Sequence, residues 1–238
     1  MNIKNEKFLS DIAYKKNKSY ENAVYIKENG VFKPYIVLTS DYNGNVLLLR
    51  KFLLDETMPF NENESHMWAG YENGGYYENS SIDKYLNNNF IQVFDDWLQQ
   101  RMPDSEITIT AENSLGVTGE DTLTISRKIF LLSLFELDAG KSQSSVAEGK
   151  ALKYFTDDYL RRVACFSNGE KNPYWTRTPE TWETYTVFTV GENGIGSASA
   201  DILSGVRPAF CLDANTAIHL NADIINNKNV YVIDNNFK

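Results

Sequence analysis

The stretch Pro173-Tyr174-Trp175-Thr176-Arg177-Thr178-Pro179, followed later by Gly205-Val206-Arg207-Pro208-Ala209-Phe210, decides the fold. Between these two motifs, aromatic and apolar side chains recur in residues 182–188 and 195–199, on either side of Gly191-Glu192-Asn193-Gly194. Two extended runs joined by a glycine-containing turn are typical of a β-hairpin. We therefore predict a three-stranded meander here, which favours a binding fold over a catalyst.

Three further hairpin turns are visible outside this tract. Residues 23–26 turn at Glu28-Asn29-Gly30 into residues 31–38, and Asp41-Tyr42-Asn43-Gly44 leads into residues 46–54. Asn-Gly supplies the positive φ that a tight hairpin requires, so the chain is predicted to begin with three antiparallel strands. Near the end, residues 222–225 are predicted to pair with 230–233.

Helices are expected at two places. Ser80 or Ser81 can cap a helix that ends near Arg101, before Pro103, and a second helix is predicted over residues 154–165. The apolar face of the first contains Ile82, Tyr85, Leu86, Phe90, Phe94, Trp97 and Leu98, and that of the second contains Phe155, Tyr159, Leu160 and Val163. A strand is predicted at 107–110, a polar loop leads from there to residues 123–126 and the apolar run 129–135, and an exposed loop is predicted at 138–150. The predicted class is α+β, with antiparallel sheets and one or two helices packed alongside.

The two motifs resemble those of a widespread bacterial and prophage domain family of unknown function. That family is marked by Trp-x-Arg-(Ser/Thr)-Pro and Gly-Val-Arg-Pro-Ala motifs; here Thr176 and Thr178 stand where it has Leu and Ser. Asn79-Ser80-Ser81-Ile82-Asp83-Lys84-Tyr85-Leu86-Asn87 and Lys128-Ile129-Phe130-Leu131-Leu132-Ser133 match a helix and a strand of the same family. The resemblance covers residues 25–212.

This family is in turn similar to the formylglycine-generating-enzyme branch of the C-type-lectin-like fold. The resemblance implies one compact C-type-lectin-like domain. With the C-terminal hairpin predicted above, this domain is placed at residues 21–238, and residues 1–20 are treated as an N-terminal docking arm. The resemblance also implies a structural role for Trp175, Arg177, Arg207 and Pro208. An alternative for the two arginines stays open, because a planar guanidinium can also grip an anionic ligand.

Residues 1–20 have a charge opposite to that of the whole chain. They carry five lysines against Glu6 and Asp11, whereas the net charge of the chain is -9. Phe8, Ile12 and Ala13 are spaced to form one apolar stripe, which predicts docking on a partner or on the body of the protein. A solvated terminus is the alternative.

Composition excludes several functions. The acidic charge and the absence of any longer basic run than Lys15-Lys16 argue against nucleic acid as a partner. No stretch approaches the roughly 18 apolar residues of a membrane helix, and residues 1–7 lack the apolar core of a secretory signal. We therefore expect neither membrane insertion nor export by a signal of the chain's own.

The sequence also gives little support for metal binding, cofactor binding or cysteine-based catalysis. His66 and His219 lack the spacing of metal ligands, so neither a metal nor a cofactor is predicted. Cys165 and Cys211 are interpreted as buried thiols, with a single bridge as the alternative, and neither matches the position of a reactive cysteine in the formylglycine-generating enzymes.

Aromatic residues make up 13 % of the chain, which favours a recognition surface. One candidate surface lies in the predicted hairpin and the other in the irregular stretch 59–79. The ligand-binding candidates are Trp182, Tyr185 and Phe188 in the first, and Trp68, Tyr71, Tyr76 and Tyr77 in the second. For the hairpin residues, packing in the core is the alternative.

The functional hypothesis is a non-enzymatic structural or adhesive component of a phage or phage-tail-like particle, located in the virion after assembly in the bacterial cytoplasm. Expected partners are other virion or tail proteins, in an oligomeric assembly, and a host-surface glycan or protein. Frequent Asn and the excess of Lys over Arg favour a low-GC Gram-positive host. One alternative is a bacterial carbohydrate- or protein-binding domain outside any virion; another is an enzyme of the formylglycine-generating type, which the cysteine positions disfavour.

Overall fold

The computed structural model describes residues 7–16, 22–62, 74–140, 145–225 and 228–235. Strands dominate these residues, and the α-helices among them are single turns, so the class is α+β and mainly β. The strands are β1 (Lys7–Phe8), β2 (Ala23–Glu28), β3 (Val31–Tyr42), β4 (Asn45–Arg50), β5 (Ser105–Thr110), β6 (Thr122–Arg127), β7 (Ile129–Leu131), β8 (Tyr174–Pro179), β9 (Thr186–Gly191), β10 (Gly194–Ser199), β11 (Pro208–Leu212), β12 (Ala217–Ile225) and β13 (Lys228–Val232). The α-helices are α1 (Ser81–Lys84), α2 (Asp96–Gln99) and α3 (Lys153–Thr156).

The largest sheet has the strand order β1-β12-β13-β2-β3-β4-β11-β7. Its neighbours pair antiparallel except β13 and β2, which are parallel. The predicted hairpins β2–β3 and β3–β4 are confirmed, and φ is positive at both residues of each Asn-Gly turn, Asn29-Gly30 and Asn43-Gly44. The predicted C-terminal hairpin is confirmed as β12–β13. The second motif enters this sheet as β11, which is buried throughout between β4 and β7.

The predicted meander is confirmed as the antiparallel sheet β10-β9-β8. Its edge strand β8 carries the first motif, and every residue of β8 is buried. β8 reaches the second motif through hydrogen bonds between Trp175 N and Gly205 O, 3.0 Å, and between Gly205 N and Pro173 O, 2.8 Å. β5 and β6 form a separate hairpin. The first motif, in β8, and the second motif, which leads into β11, are therefore neighbours in space.

The prediction of one continuous helix over 80–101 is wrong. Ser80 does cap it, because its hydroxyl accepts a hydrogen bond from Asp83 N at 3.2 Å. However, α1 continues as a π-helical turn over Tyr85–Asn89 and a 3₁₀ turn over Phe90–Val93, and Phe94 is extended before α2 begins. The break lets Phe94 pack edge-on against both Phe90 and Phe210. Aromatic packing in the core thus outweighs regular helix geometry.

Two other predictions need correction. The helix expected over 154–165 is only α3 plus a 3₁₀ turn at Tyr159–Arg162, because Asp158 is extended and its carboxylate caps Leu160 N at 3.0 Å. Phe155 is buried as predicted, but Tyr159 and Leu160 point into solvent. The loop 138–150 is not exposed throughout, since Ala139, Val146 and Glu148 are buried.

Of the predicted N-terminal arm, the structure describes residues 7–16. Leu9, Ile12 and Ala13 are buried in the main core, and β1 pairs with β12. These apolar side chains therefore contact the body of the protein itself. The part of the chain that the structure describes contains no helix long and apolar enough to span a membrane.

Candidate functional site

Arg177 of the first motif lies at the centre of a buried polar cluster. Its guanidinium pairs with both carboxylate oxygens of Glu136, at 2.6 and 3.0 Å, and donates to Thr108 O and Leu131 O, each at 2.9 Å. The Tyr42 hydroxyl donates to Glu136 Oε1 at 2.6 Å. Neither member of the ion pair is accessible, with side-chain exposures of 0 % and 1 %. A buried pair with these additional hydrogen bonds organises the core and offers no free charge to a ligand.

Glu148 is a second buried carboxylate beside this cluster. It accepts hydrogen bonds from Thr110 N at 2.6 Å, the Thr110 hydroxyl at 2.8 Å and the Thr178 hydroxyl at 2.5 Å. Burial raises the pKa of Glu148 to about 7, although Arg177 and these donors act in the opposite direction. Glu148 thus places a second negative charge near Arg177, and its hydrogen bonds tie the segment around it to β5 and β8.

Arg207 of the second motif is also inside the protein. It donates to Arg50 O at 3.1 Å, and its guanidinium lies 5.6 Å from the centre of the Tyr174 ring. Arg50 itself pairs with Glu28 at 2.8 Å, and Tyr35 donates to the same carboxylate. Pro208, the next motif residue, starts the buried strand β11. Both motif arginines are thus held by carbonyls, rings or carboxylates of the core.

Trp175 is fully buried and contacts the Phe60 ring at a centroid distance of 5.7 Å, while its indole N–H donates to Met58 O at 2.9 Å. Arg177 pairs with Glu136, whereas Trp175 packs on Phe60. Glu136 and Glu148 were missed as members of the cluster. The only sequence signal was the position of Glu136 three residues after the Ser133 that ends the Lys-Ile-Phe-Leu-Leu-Ser match.

The two surfaces predicted from aromatic residues converge. The turn between β8 and β9 binds the loop after β5, with hydrogen bonds from Gly116 N and Thr118 N to Thr181 O at 2.9 and 3.2 Å. The same turn binds the end of the stretch 59–79, because Gly75 N donates to Thr184 O at 2.8 Å. A Cβ on Gly75 would lie 3.0 Å from Thr186 O, so this approach depends on glycine.

The start of the stretch 59–79 reaches the same place. Asn61 N donates to Ala200 O at 2.9 Å, and Ala200 N donates to Tyr185 O at 2.8 Å. The Asn61 amide also donates to Gly74 O at 3.2 Å, which closes the two ends of the stretch onto each other. We call this surface the loop face; it consists of residues 61–62, 74–76, 115–118, 181–185 and 200–203.

Exposed apolar side chains lie on three segments of this face. Trp182 is 61 % exposed and Val117 is 66 % exposed, and Ile202 and Leu203 are also exposed. Tyr185 and Tyr76 are half-buried. An exposed tryptophan is the type of side chain that often dominates binding energy at protein surfaces.

Not every predicted binding residue lies on this surface. Phe188 and Tyr77 are buried in the core, at 3 % and 1 % exposure, so they present almost no area to a ligand. For Phe188 this is the alternative that the sequence left open. The Tyr77 hydroxyl accepts a hydrogen bond from Leu131 N at 3.3 Å, and its ring contacts Phe60. Trp68 and Tyr71 lie outside the described residues.

A family model described as a domain of unknown function (DUF6273) matches residues 43–214, more than half of the chain. The chain belongs to the DUF6273 family. The matched region contains both motifs, Arg177 with its partner Glu136, and the whole loop face. Comparison with curated proteins and with solved structures gives no significant match.

Both cysteines of the DUF6273 region are free thiols, so the alternative of a single bridge is wrong. Cys211 is buried in β11, and burial raises the pKa of its thiol to about 12. A thiol with so high a pKa is a poor nucleophile near neutral pH. Among the described residues no group of three or more His, Cys, Asp or Glu side chains is placed to hold a metal ion.

A polar cleft of about 690 Å³ opens beside β3 and β5 of this domain. Its lining includes Tyr42 and Glu136, together with Glu106, Lys150 and Lys153. Glu136 is paired with Arg177, and Asp41, Glu106, Lys150 and Lys153 supply the other charges of the lining.

Proposed function

We propose that this chain is a non-enzymatic binding module that contacts its partner through the loop face. The observation that carries the proposal is the exposure of Trp182 at the point where these loops meet. Burying a tryptophan and its apolar neighbours against a partner releases free energy that the isolated chain leaves unused. The rest of the fold then acts as the scaffold that holds these loops in place.

The interior supports the same proposal. The two motif arginines are buried: Arg177 pairs with Glu136, and Arg207 donates to the Arg50 carbonyl oxygen. Groups that perform acid–base or nucleophilic chemistry need access to a substrate, and these side chains are out of its reach. The exposed aromatic surface therefore remains the better candidate for function.

Binding to purified cell walls and to intact cells of low-GC Gram-positive bacteria tests the proposal. Trp182→Ala is compared with Tyr159→Ala, which removes an aromatic ring that is equally exposed, at 66 %. We expect Trp182→Ala to weaken binding about ten-fold or more and Tyr159→Ala to leave it unchanged. Equal binding by both variants would overturn the role of the loop face.

From the motif resemblance, we further propose that the module is a structural or adhesive component of a phage or phage-tail-like particle. Mass spectrometry and electron microscopy of particles released after prophage induction test this placement. The expected result is stoichiometric copurification of the chain with tail-like particles. Absence from all particles, with cell-wall binding retained, would instead identify a bacterial binding domain outside any virion.

The finer fold assignment is also a proposal. A C-type-lectin-like core is supported by the way the strand of Trp175 and Arg177 joins the segment that leads into β11. An experimental structure superposed on C-type-lectin-like domains tests it. The assignment predicts that these two strands superpose in the same order and direction; a different connectivity would reject it.

A further inference from the structure

The chain distributes its charge unevenly along the sequence. Its three longest stretches without Lys or Arg are residues 52–83, 102–126 and 178–206. Together they contain sixteen of the 32 acidic residues and none of the 23 basic residues. They therefore contribute -16 to the net charge of -9, and the remainder of the chain contributes +7.

The structure brings these three stretches together. Every residue of the loop face belongs to one of them, and the hydrogen bonds at Thr181, Thr184 and Ala200 join all three. The exposed apolar side chains Trp182, Val117, Ile202 and Leu203 thus lie on segments that carry acidic residues but no Lys or Arg. The charge around an apolar patch selects what can cover it.

Three carboxylates illustrate this rim. Glu62 and Glu183 lie within the loop face, and Glu120 lies two residues beyond its loop 115–118. All three are exposed, and within the described part of the chain none has a Lys or Arg nitrogen within 4.0 Å. Their charges are available to a partner.

We infer that the loop face docks a cationic protein surface, one that presents Lys and Arg around an apolar contact for Trp182. The inference rests on the binding role proposed above and specifies the class of partner. A phosphate-rich polymer or an anionic lipid surface would be repelled by these carboxylates, and a neutral glycan would donate hydrogen bonds to them but leave their charge uncompensated. A partner surface with Lys and Arg neutralises these carboxylates, and its apolar centre buries the indole of Trp182.

The probe is a short synthetic peptide rich in Lys and Arg with one central Leu, compared with the same peptide after acetylation of its lysines and replacement of Arg by citrulline. The face variant is Glu62→Gln, Glu120→Gln and Glu183→Gln. The matched control is Asp41→Asn, Asp96→Asn and Glu170→Gln, which removes three exposed carboxylates outside the loop face and so changes the net charge equally. Affinities are measured by calorimetry or fluorescence at two salt concentrations.

We expect the face variant to weaken binding of the cationic peptide about ten-fold at low salt and to flatten its salt dependence, and the control variant to change it less than about two-fold. Trp182→Ala should lower affinity without changing the salt dependence. The uncharged peptide should bind no variant well.

Two results would overturn the inference. Equal losses in the face and control variants would mean that only total charge attracts the peptide. Retained binding of cell-wall glycan that is lost in Trp182→Ala, with no effect of the face variant on any probe, would leave the binding role standing but assign the surface to a glycan. If Trp182→Ala affected no target at all, the binding role itself would fail.

Discussion

At the scale of single residues, Arg177 shows how a motif charge is used inside this protein. Its guanidinium exchanges water for hydrogen bonds to Glu136 and two backbone carbonyls. Such a pair is costly to break from one side, because the remaining charge stays buried without compensation. The identity of Arg177 was visible in the sequence, but its partner was not, because Glu136 is 41 residues away along the chain.

Replacing Arg177 tests this reading of the buried pair. We expect Arg177→Met to lower the free energy of unfolding by about 3–5 kcal/mol, since Glu136 would be left as an isolated buried carboxylate. Urea denaturation monitored by tryptophan fluorescence measures the change. Arg101→Met, at an exposed arginine, is the control and should cost less than about 1 kcal/mol. A small effect of Arg177→Met would contradict the buried pair.

Glu148 predicts an unusual pH dependence. Its pKa in the folded protein is about 7, raised from 4.5, so the folded state holds the proton more tightly than the unfolded state does. The contribution of Glu148 to folding stability is therefore fully present below pH 4.5 and is lost as the pH rises through 7. This loss lowers the unfolding free energy by roughly 3 kcal/mol. Glu148→Gln removes this contribution.

The measurement is the unfolding free energy of both proteins between about pH 4 and pH 8, a range that spans both pKa values of Glu148. Relative to the natural chain, Glu148→Gln should become more stable as the pH rises across this range. A difference that stays constant with pH would show that the Glu148 carboxyl does not titrate as its burial requires.

At the scale of elements, local signals predicted the turns and contacts distant in sequence decided the helices. Asn-Gly fixed the hairpins β2–β3 and β3–β4, and Ser80 fixed the start of α1, because each signal acts over only a few residues. In the segment that follows α1, the Asn87 side-chain N–H donates to Ile129 O at 2.9 Å and its amide oxygen accepts from Ile129 N at 3.1 Å. Because this contact joins distant parts of the chain, no periodic pattern in the sequence predicts it.

Asn87 therefore has a testable role in joining the helical segment to β7. Asn87→Ala leaves the N–H and C=O of Ile129 without their side-chain partner, and we expect a loss of about 1–3 kcal/mol in unfolding free energy, measured by urea denaturation. Asn88→Ala is the matched control, since Asn88 is the exposed neighbour of the same residue type. Similar losses at both positions would mean that helix propensity, rather than the contact with β7, explains the effect.

At the scale of the whole molecule, the N-terminal segment is part of the core. Leu9 is fully buried and Ile12 nearly so, although the sequence analysis treated residues 1–20 as an arm because of their lysines. Among the described residues of this segment, Lys7, Lys15 and Lys16 are exposed while Leu9, Ile12 and Ala13 pack inward; Lys16 lies 3.4 Å from Asp157. The positive charge of this segment did not indicate that its apolar side packs on the body of the protein.

We predict that Leu9→Ala lowers the unfolding free energy by about 2–4 kcal/mol, because it leaves a cavity in the main core. Thermal denaturation followed by circular dichroism measures the effect, with Lys15→Ala as the control at an exposed position. An unchanged melting temperature for Leu9→Ala would show that this segment docks elsewhere.

The loop face also belongs to this scale, because it exists only after folding. Trp182 was a candidate from the sequence, and the acidic stretches are also visible in the sequence. What the sequence does not show is that three segments far apart in the chain meet, through hydrogen bonds at Thr181, Thr184 and Ala200. Phe188 could not be separated from Trp182 by sequence, since burial in a hairpin depends on which face packs against the core.

The most direct test of the binding role is site-specific photocrosslinking on intact particles and on host cells. A photoreactive phenylalanine analogue replaces Trp182 in one protein and the equally exposed Tyr159 in another, and crosslinked products are identified by mass spectrometry. The account predicts a defined partner crosslinked from position 182 and none from position 159. Crosslinks from position 159 alone, or the same products from both positions, would contradict it.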